Sequence, residues 1–181
     1  MPTTPAAPDG ALAPPHDEVD RIVEGWARAR EDLDVAPLAV FSRISRLSRF
    51  LETARREAFS DAGLEGWEFD MLSALRRSAE DALSPGALMR ETLVTSGTMT
   101  TRIYKLVARG LVSKNRSPHD GRSVEVRLRP DGVARVDAAM ERLLTAEREL
   151  LAPLGDTDRS ELAGMLRALL LTFETSDPLA R

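Results

Sequence analysis

Between Leu111 and Arg129 the chain changes period, and that change limits the fold more than any other feature of its 181 residues. Val124, Val126 and Leu128 alternate with Glu125, Arg127 and Arg129, the pattern of a strand with one wet face. Leu111 to Arg116 offers it a partner across Ser117, Pro118, His119, Asp120 and Gly121, residue types that favour a sharp turn. In the rest of the chain the apolar residues recur at helical spacing. The expected fold is therefore mainly α, with one small β-hairpin.

Upstream, Val19, Ile22, Val23 and Trp26 mark one face of a helix from about Asp17 to Glu31, broken by Asp34-Val35-Ala36-Pro37. Leu38, Phe41, Ile44, Leu47, Leu51, Ala54 and Ala58 carry a second stripe to about Ala62, where Gly63 and Gly66 are expected to stop it. A third helix spans Trp67 to Ser78 with Phe69, Leu72 and Leu75 inward. Ser84-Pro85 is a start signal, serine as N-cap and proline at the first helical position, for a short helix through Glu91. Leu93 to Met99 supplies a tight turn, then a helix with Met99, Ile103, Leu106 and Val107 inward that ends at Gly110. Two helices joined so closely form a helix-turn-helix, and the hairpin after them is its wing.

Pro130-Asp131-Gly132 starts a further helix, with Val133, Val136, Met140, Leu143, Leu144, Glu147 and Leu151 at helical spacing until Pro153. A last helix begins near Thr157 or Asp158 and is expected to bury Leu162, Met165, Leu166, Leu169, Leu170 and Phe173. Together the terminal helices carry more apolar face than a small winged domain can cover, so a second copy is expected to cover it. The resulting division has a disordered tail over 1–15, N-terminal helices for dimerisation and a ligand cleft over 16–62, and a winged helix-turn-helix over 63–130. C-terminal dimerisation helices occupy 131–175, and 176–181 is a flexible tail.

Charge is segregated. Thr95 to Arg129 holds eight basic residues, Arg102, Lys105, Arg109, Lys114, Arg116, Arg122, Arg127 and Arg129, against Asp120 and Glu125. That local excess of six positive charges sits in a chain of formal charge -4, so the remainder carries -10. A concentrated positive segment attracts phosphates while the acidic remainder repels unspecific contact, which points to double-stranded DNA. With no cysteine, disulfides and thiolate chemistry are excluded. The two histidines, His16 and His119, stand in the tail and the wing, and neither a glycine-rich phosphate loop nor a metal-ligand cluster appears. No enzyme, cofactor or metal is therefore expected, and no apolar run reaches membrane-spanning length. The first fifteen residues lack the positive flank and apolar run of a secretion signal. A cytoplasmic, nucleoid-associated protein is the expectation.

On the second helix of the helix-turn-helix, Thr98, Thr101, Arg102 and Lys105 fall at i, i+3, i+4 and i+7, with Ser96 and Gly97 at the entrance. Small hydroxyl residues allow close approach to a groove floor, and Arg102 can fork onto guanine or phosphate. At the wing, Arg116, His119 and Arg122 surround the tip, and Arg122 suits a narrow minor groove. Asp120 is a poor DNA contact, expected to hold a neighbouring arginine. The plainer alternatives are an ordinary polar helix surface and a solvated charged loop.

Trp67 to Leu154 resembles the MarR family of bacterial transcriptional regulators. The resemblance is carried by Ser96-Gly97-Thr98-Met99-Thr100-Thr101-Arg102-Ile103, by Gly110-Leu111-Val112 and by Asp120-Gly121-Arg122. It implies a dimer built from N- and C-terminal helices, a palindromic site with one recognition helix per half-site, and repression relieved by a small ligand. The added N-terminal helix bearing Trp26, with Trp67-Glu68-Phe69-Asp70, is similar to the urate-responsive branch. Carried over from that branch, Trp26, Asp70, Arg102 and Lys114 would define an anion pocket for an aromatic or heterocyclic acid or a polycarboxylate. Arg102 would pair with Asp70 or face DNA until such a ligand drew it inward. Lys114 departs from the branch, where arginine is usual, and gives a point charge without a planar fork. Two alternatives stay open: Trp26 packing in a dimer interface, and a ligand-independent architectural DNA binder.

Overall fold

The computed structural model describes residues 16–79, 81–116 and 123–174, in two compact units, one through Phe50 and one from Leu51. In the first, α1 (Glu18–Ala29) starts from a reciprocal cap. The Asp17 carboxylate accepts the N–H groups of Val19 and Asp20 at 2.7 and 3.1 Å, and the Asp20 carboxylate accepts that of Asp17 at 2.9 Å. Arg43, early in α2 (Ala36–Asp61), donates to both carboxylates at 2.7 to 3.0 Å. Its guanidinium is the largest cause holding the Asp17 carboxyl down from the ordinary 3.8 to about 2. Asp20 is lowered too, first by the Asp17 N–H and then by Arg43. Of the stripe on α1 only Val19 is buried, while Trp26 keeps 51% of its surface exposed.

The second unit holds the core. Phe59, at the end of α2, stacks on Phe69 of α3 (Gly66–Arg77) with ring centres 4.0 Å apart. Gly63 turns the chain between them at φ +67. Gly66 does not stop α2 as expected; it is the first residue of α3. The N–H of the preceding Glu65 finds its partner in the Glu68 carboxylate at 3.0 Å, so the helix start is satisfied without help from residue 66. Around Met71, Leu72 and Leu75, all fully buried, pack Leu88, Leu106, Leu111 and Val126.

Ser84 caps α4 (Pro85–Thr92) as expected, its hydroxyl accepting the Ala87 N–H at 3.1 Å. Leu93 closes that helix in the left-handed region, and α5 (Ser96–Ala108) follows three residues later. Met99, Ile103 and Leu106 are buried, but Val107, expected inward, is 39% exposed because it lies at the margin of the stripe they form. The wing pairs β2 (Val112–Arg116) with β3 (Val124–Leu128) in register from Val112↔Leu128 to Arg116↔Val124. The sheet has a third strand that the two-stranded expectation missed, β1 (Ala82–Leu83), on the other side of β3. Two residues carry no detectable period. They are held by the Ser78 hydroxyl, which accepts the Ala82 N–H at 2.9 Å, and by the Leu128 N–H donating to the Asp81 carbonyl at 2.9 Å.

In α6 (Pro130–Leu150) Val136, Ala139 and Leu143 are buried, whereas Leu144, and Leu151 just beyond the helix, are exposed. Within one chain the apolar residues of α7 (Asp156–Glu174) are left uncovered, in line with more apolar face than one winged domain can cover: Met165, Leu166, Leu169, Leu170 and Phe173 are exposed and Leu162 is half-buried. None of the described helices is long and apolar enough to cross a membrane.

Candidate nucleic-acid interface

The outer face of α5 is built to be approached. Thr95 precedes the helix with its hydroxyl on Thr98 Oγ1, at 3.1 Å, rather than on the backbone. No described side chain caps the helix, so its first-turn N–H groups stay open at the positive end of the dipole. Ser96, Gly97, Thr98 and Thr101 are exposed beside them. Thr100 and Thr101 donate back to the Ser96 and Gly97 carbonyls at 3.1 and 3.2 Å. What they offer a visitor is therefore methyl groups and oxygen lone pairs.

The cations rest on aromatic rings. The Arg102 guanidinium and the Lys105 ammonium lie 5.4 and 5.8 Å from the centre of the Trp67 indole, a residue of α3. Trp67 Nε1–H in turn donates to the Glu65 carboxylate at 2.7 Å. Lys114, on β2, lies 5.4 Å over the ring of Tyr104, which is 65% exposed on α5, and Arg116 is exposed at the end of the same strand. Sequence reasoning missed both aromatics. Tyr104 was within reach, since it follows Thr101 by one helical turn; the pairing of Trp67 with residues of another helix left no local trace.

Arg109 does not join this face. It donates to the buried Glu68 carboxylate and, at 2.7 Å, to the Gly63 carbonyl, while Arg135 donates to Ala62 at 3.0 Å. The two arginines thus tie the turn between α2 and α3 to the end of α5 and to α6. On β3 Arg127 pairs with Glu125 at 3.5 Å. The positive charge turned outward is accordingly smaller than the sequence count. His119, Asp120 and Arg122 lie outside the described residues, as do the segments read as tails.

Of the residues carried over to a ligand pocket, Trp26 stands exposed on α1 in the first unit. Asp70 is not joined to Arg102: its carboxylate is 3.9 Å from Arg55, and Arg102 is over Trp67. Lys114 is engaged with Tyr104. Asp70 opens on a groove of about 570 Å³ walled by Arg55, Arg56, Phe59, Ser60 and Glu65. Among the described residues no group of His, Asp and Glu is arranged to hold a metal ion.

The MarR family model matches residues 62–123, from the turn before α3 into the wing. The HTH-type transcriptional regulator PecS of Dickeya dadantii is 33% identical over 150 residues, 82% of this chain and 90% of its own length. The chain belongs to the MarR family. Solved MarR-type structures share its fold. BpsR of Bordetella bronchiseptica aligns at TM-score 0.58 and 26% identity, covering 72% of this chain and 91% of its own. A mutant MarR of E. coli complexed with operator DNA aligns at TM-score 0.61 and 23% identity, covering 75% and 95%. As a MarR family member the chain is a DNA-binding transcriptional regulator and not an enzyme.

Proposed function

We propose that this MarR family regulator is a repressor that grips a palindromic operator as a homodimer, one α5 per half-site, and releases it when a small anionic ligand binds. The observation that carries this reading is the outer face of α5, with its uncapped entrance, its small residues and the cations Arg102, Lys105, Lys114 and Arg116 around it. Ser96, Gly97, Thr98 and Thr101 let the backbone near the groove floor, and threonine methyls fit thymine. Arg102 forks onto guanine or phosphate, and Lys105 and Arg116 neutralise backbone charge. His119 and Arg122 are assigned to the wing-tip contact on sequence alone.

The exposed apolar face of α7 supports a second copy. BpsR, whose DNA binding is regulated by 6-hydroxynicotinic acid, supports a heterocyclic acid as the class of ligand. Trp26, Asp70, Arg102 and Lys114 remain the proposed ligand residues. With Arg102 resting on Trp67, release means drawing it off that ring rather than off Asp70, and Arg55 and Arg56 add positive charge beside Asp70. A differential affinity of a few kcal/mol between two arrangements suffices to move most of the population. The working place of such a protein is the nucleoid, in the cytoplasm.

Selection of bound DNA from a random pool is expected to return an inverted repeat with half-sites about 10 base pairs apart or a multiple of that. Arg102→Ala is expected to weaken binding to that site by about 1 to 3 kcal/mol. Recovery of no repeat, or full affinity in the variant, sinks the DNA-facing half of the proposal. Melting against aromatic acids, purines and polycarboxylates is expected to raise the midpoint with one of them. No shift with any favours a ligand-independent architectural DNA binder.

A further inference from the structure

Two cations on α5 share one ring on α3. The Arg102 guanidinium and the Lys105 ammonium repel each other, and the negative π-face of Trp67 offsets that repulsion while holding both. The ring is fixed in its own right: its Nε1–H is bonded to Glu65 at 2.7 Å and its body packs against the core. Arg102 and Lys105 are long and rotamer-rich, and ordering such side chains on binding reduces affinity. A ring that orders them during folding removes part of that penalty.

We propose that Trp67 is a positioning residue for DNA recognition, a fixed shelf that sets Arg102 and Lys105 on the outer face of α5 before DNA arrives. It rests on the reading above that these two side chains meet DNA. Removing the shelf leaves both charges in place, so affinity falls while the salt dependence, which counts neutralised phosphates, stays the same. A purely structural role for Trp67 has a different signature, because its loss then harms binding equally whatever stands at positions 102 and 105.

The test is a double-mutant cycle on the full-length chain with the selected operator, read as affinity across a salt series and as the fraction of protein active in titration. Trp67→Leu is expected to weaken binding roughly three- to tenfold at an unchanged salt slope, with Trp67→Phe recovering most of the loss. In an Arg102→Ala/Lys105→Ala background the same Trp67→Leu change is expected to cost less than about twofold. Should Trp67→Leu fail to fold, Trp67→Met, which removes the π-face and keeps apolar bulk against the core, takes its place in the cycle. An equal loss in both backgrounds, or a slope that falls with affinity, overturns the positioning role while leaving the two cations as DNA contacts. Unchanged affinity and slope in the Arg102→Ala/Lys105→Ala variant removes those contacts, and the role of Trp67 with them.

Discussion

Gly132 stands where the first turn of α6 passes the start of the wing. A β-carbon there would lie 2.1 Å from the Leu111 carbonyl oxygen, a backbone atom that cannot step aside. Gly132→Ala is expected to lower stability by about 1 to 3 kcal/mol, read from the urea midpoint, and an alanine variant as stable as the parent refutes the close approach. Arg109 makes a second demand on one residue. Its partner Glu68 is only 1% exposed, so Arg109→Ala leaves a buried carboxylate with the Glu65 N–H but without its cation and is expected to cost on the order of 2 to 4 kcal/mol. Adding Glu68→Gln is expected to restore part of that loss, since a neutral amide is cheaper to bury without a cation; no recovery in the double variant places the damage elsewhere. At this scale the sequence was least legible. Arg109 reads as one more cation of a basic segment, because its partner is 41 residues away along the chain. Gly132 reads only as part of a helix start.

Elements with a chemical start signal were readable. Ser84-Pro85 and Pro130 announce their helices, and alternation over Val124 to Leu128 gives the strand its correct inner face. What escaped were elements without a signature of their own: β1, two residues long and held by neighbours, and the beginning of α3 at a glycine taken for a stop. The joint between α1 and α2 carries a pH dependence. Because Arg43 and the helix cap hold the Asp17 carboxyl near 2 in the folded chain, their stabilising effect is full above the ordinary 3.8 and is lost as pH falls from about 4 to 2. An Asp17→Asn variant is therefore expected to melt below the parent at pH 6, with the gap closing toward pH 2. A gap that ignores pH denies the ion pair its part.

At the scale of the molecule, charge segregation was visible in composition, though the commitment of Arg109 to Glu68 trims the outward excess. Helical periodicity told which faces of α6 and α7 are apolar, while the expectation that a second copy covers them came from the amount of apolar face, since a stripe looks the same whether its cover comes from the same chain or another. Within one chain α7 leaves Met165, Leu170 and Phe173 bare. For the proposed homodimer, burying that helix is an encounter between two molecules, and mass action then governs how stable each one is. The melting midpoint is expected to climb with protein concentration, and a midpoint flat across a hundredfold dilution says that α7 needs no partner. The abundance of such a regulator would then set more than operator occupancy: copies too sparse to find one another would also be copies that never finish folding.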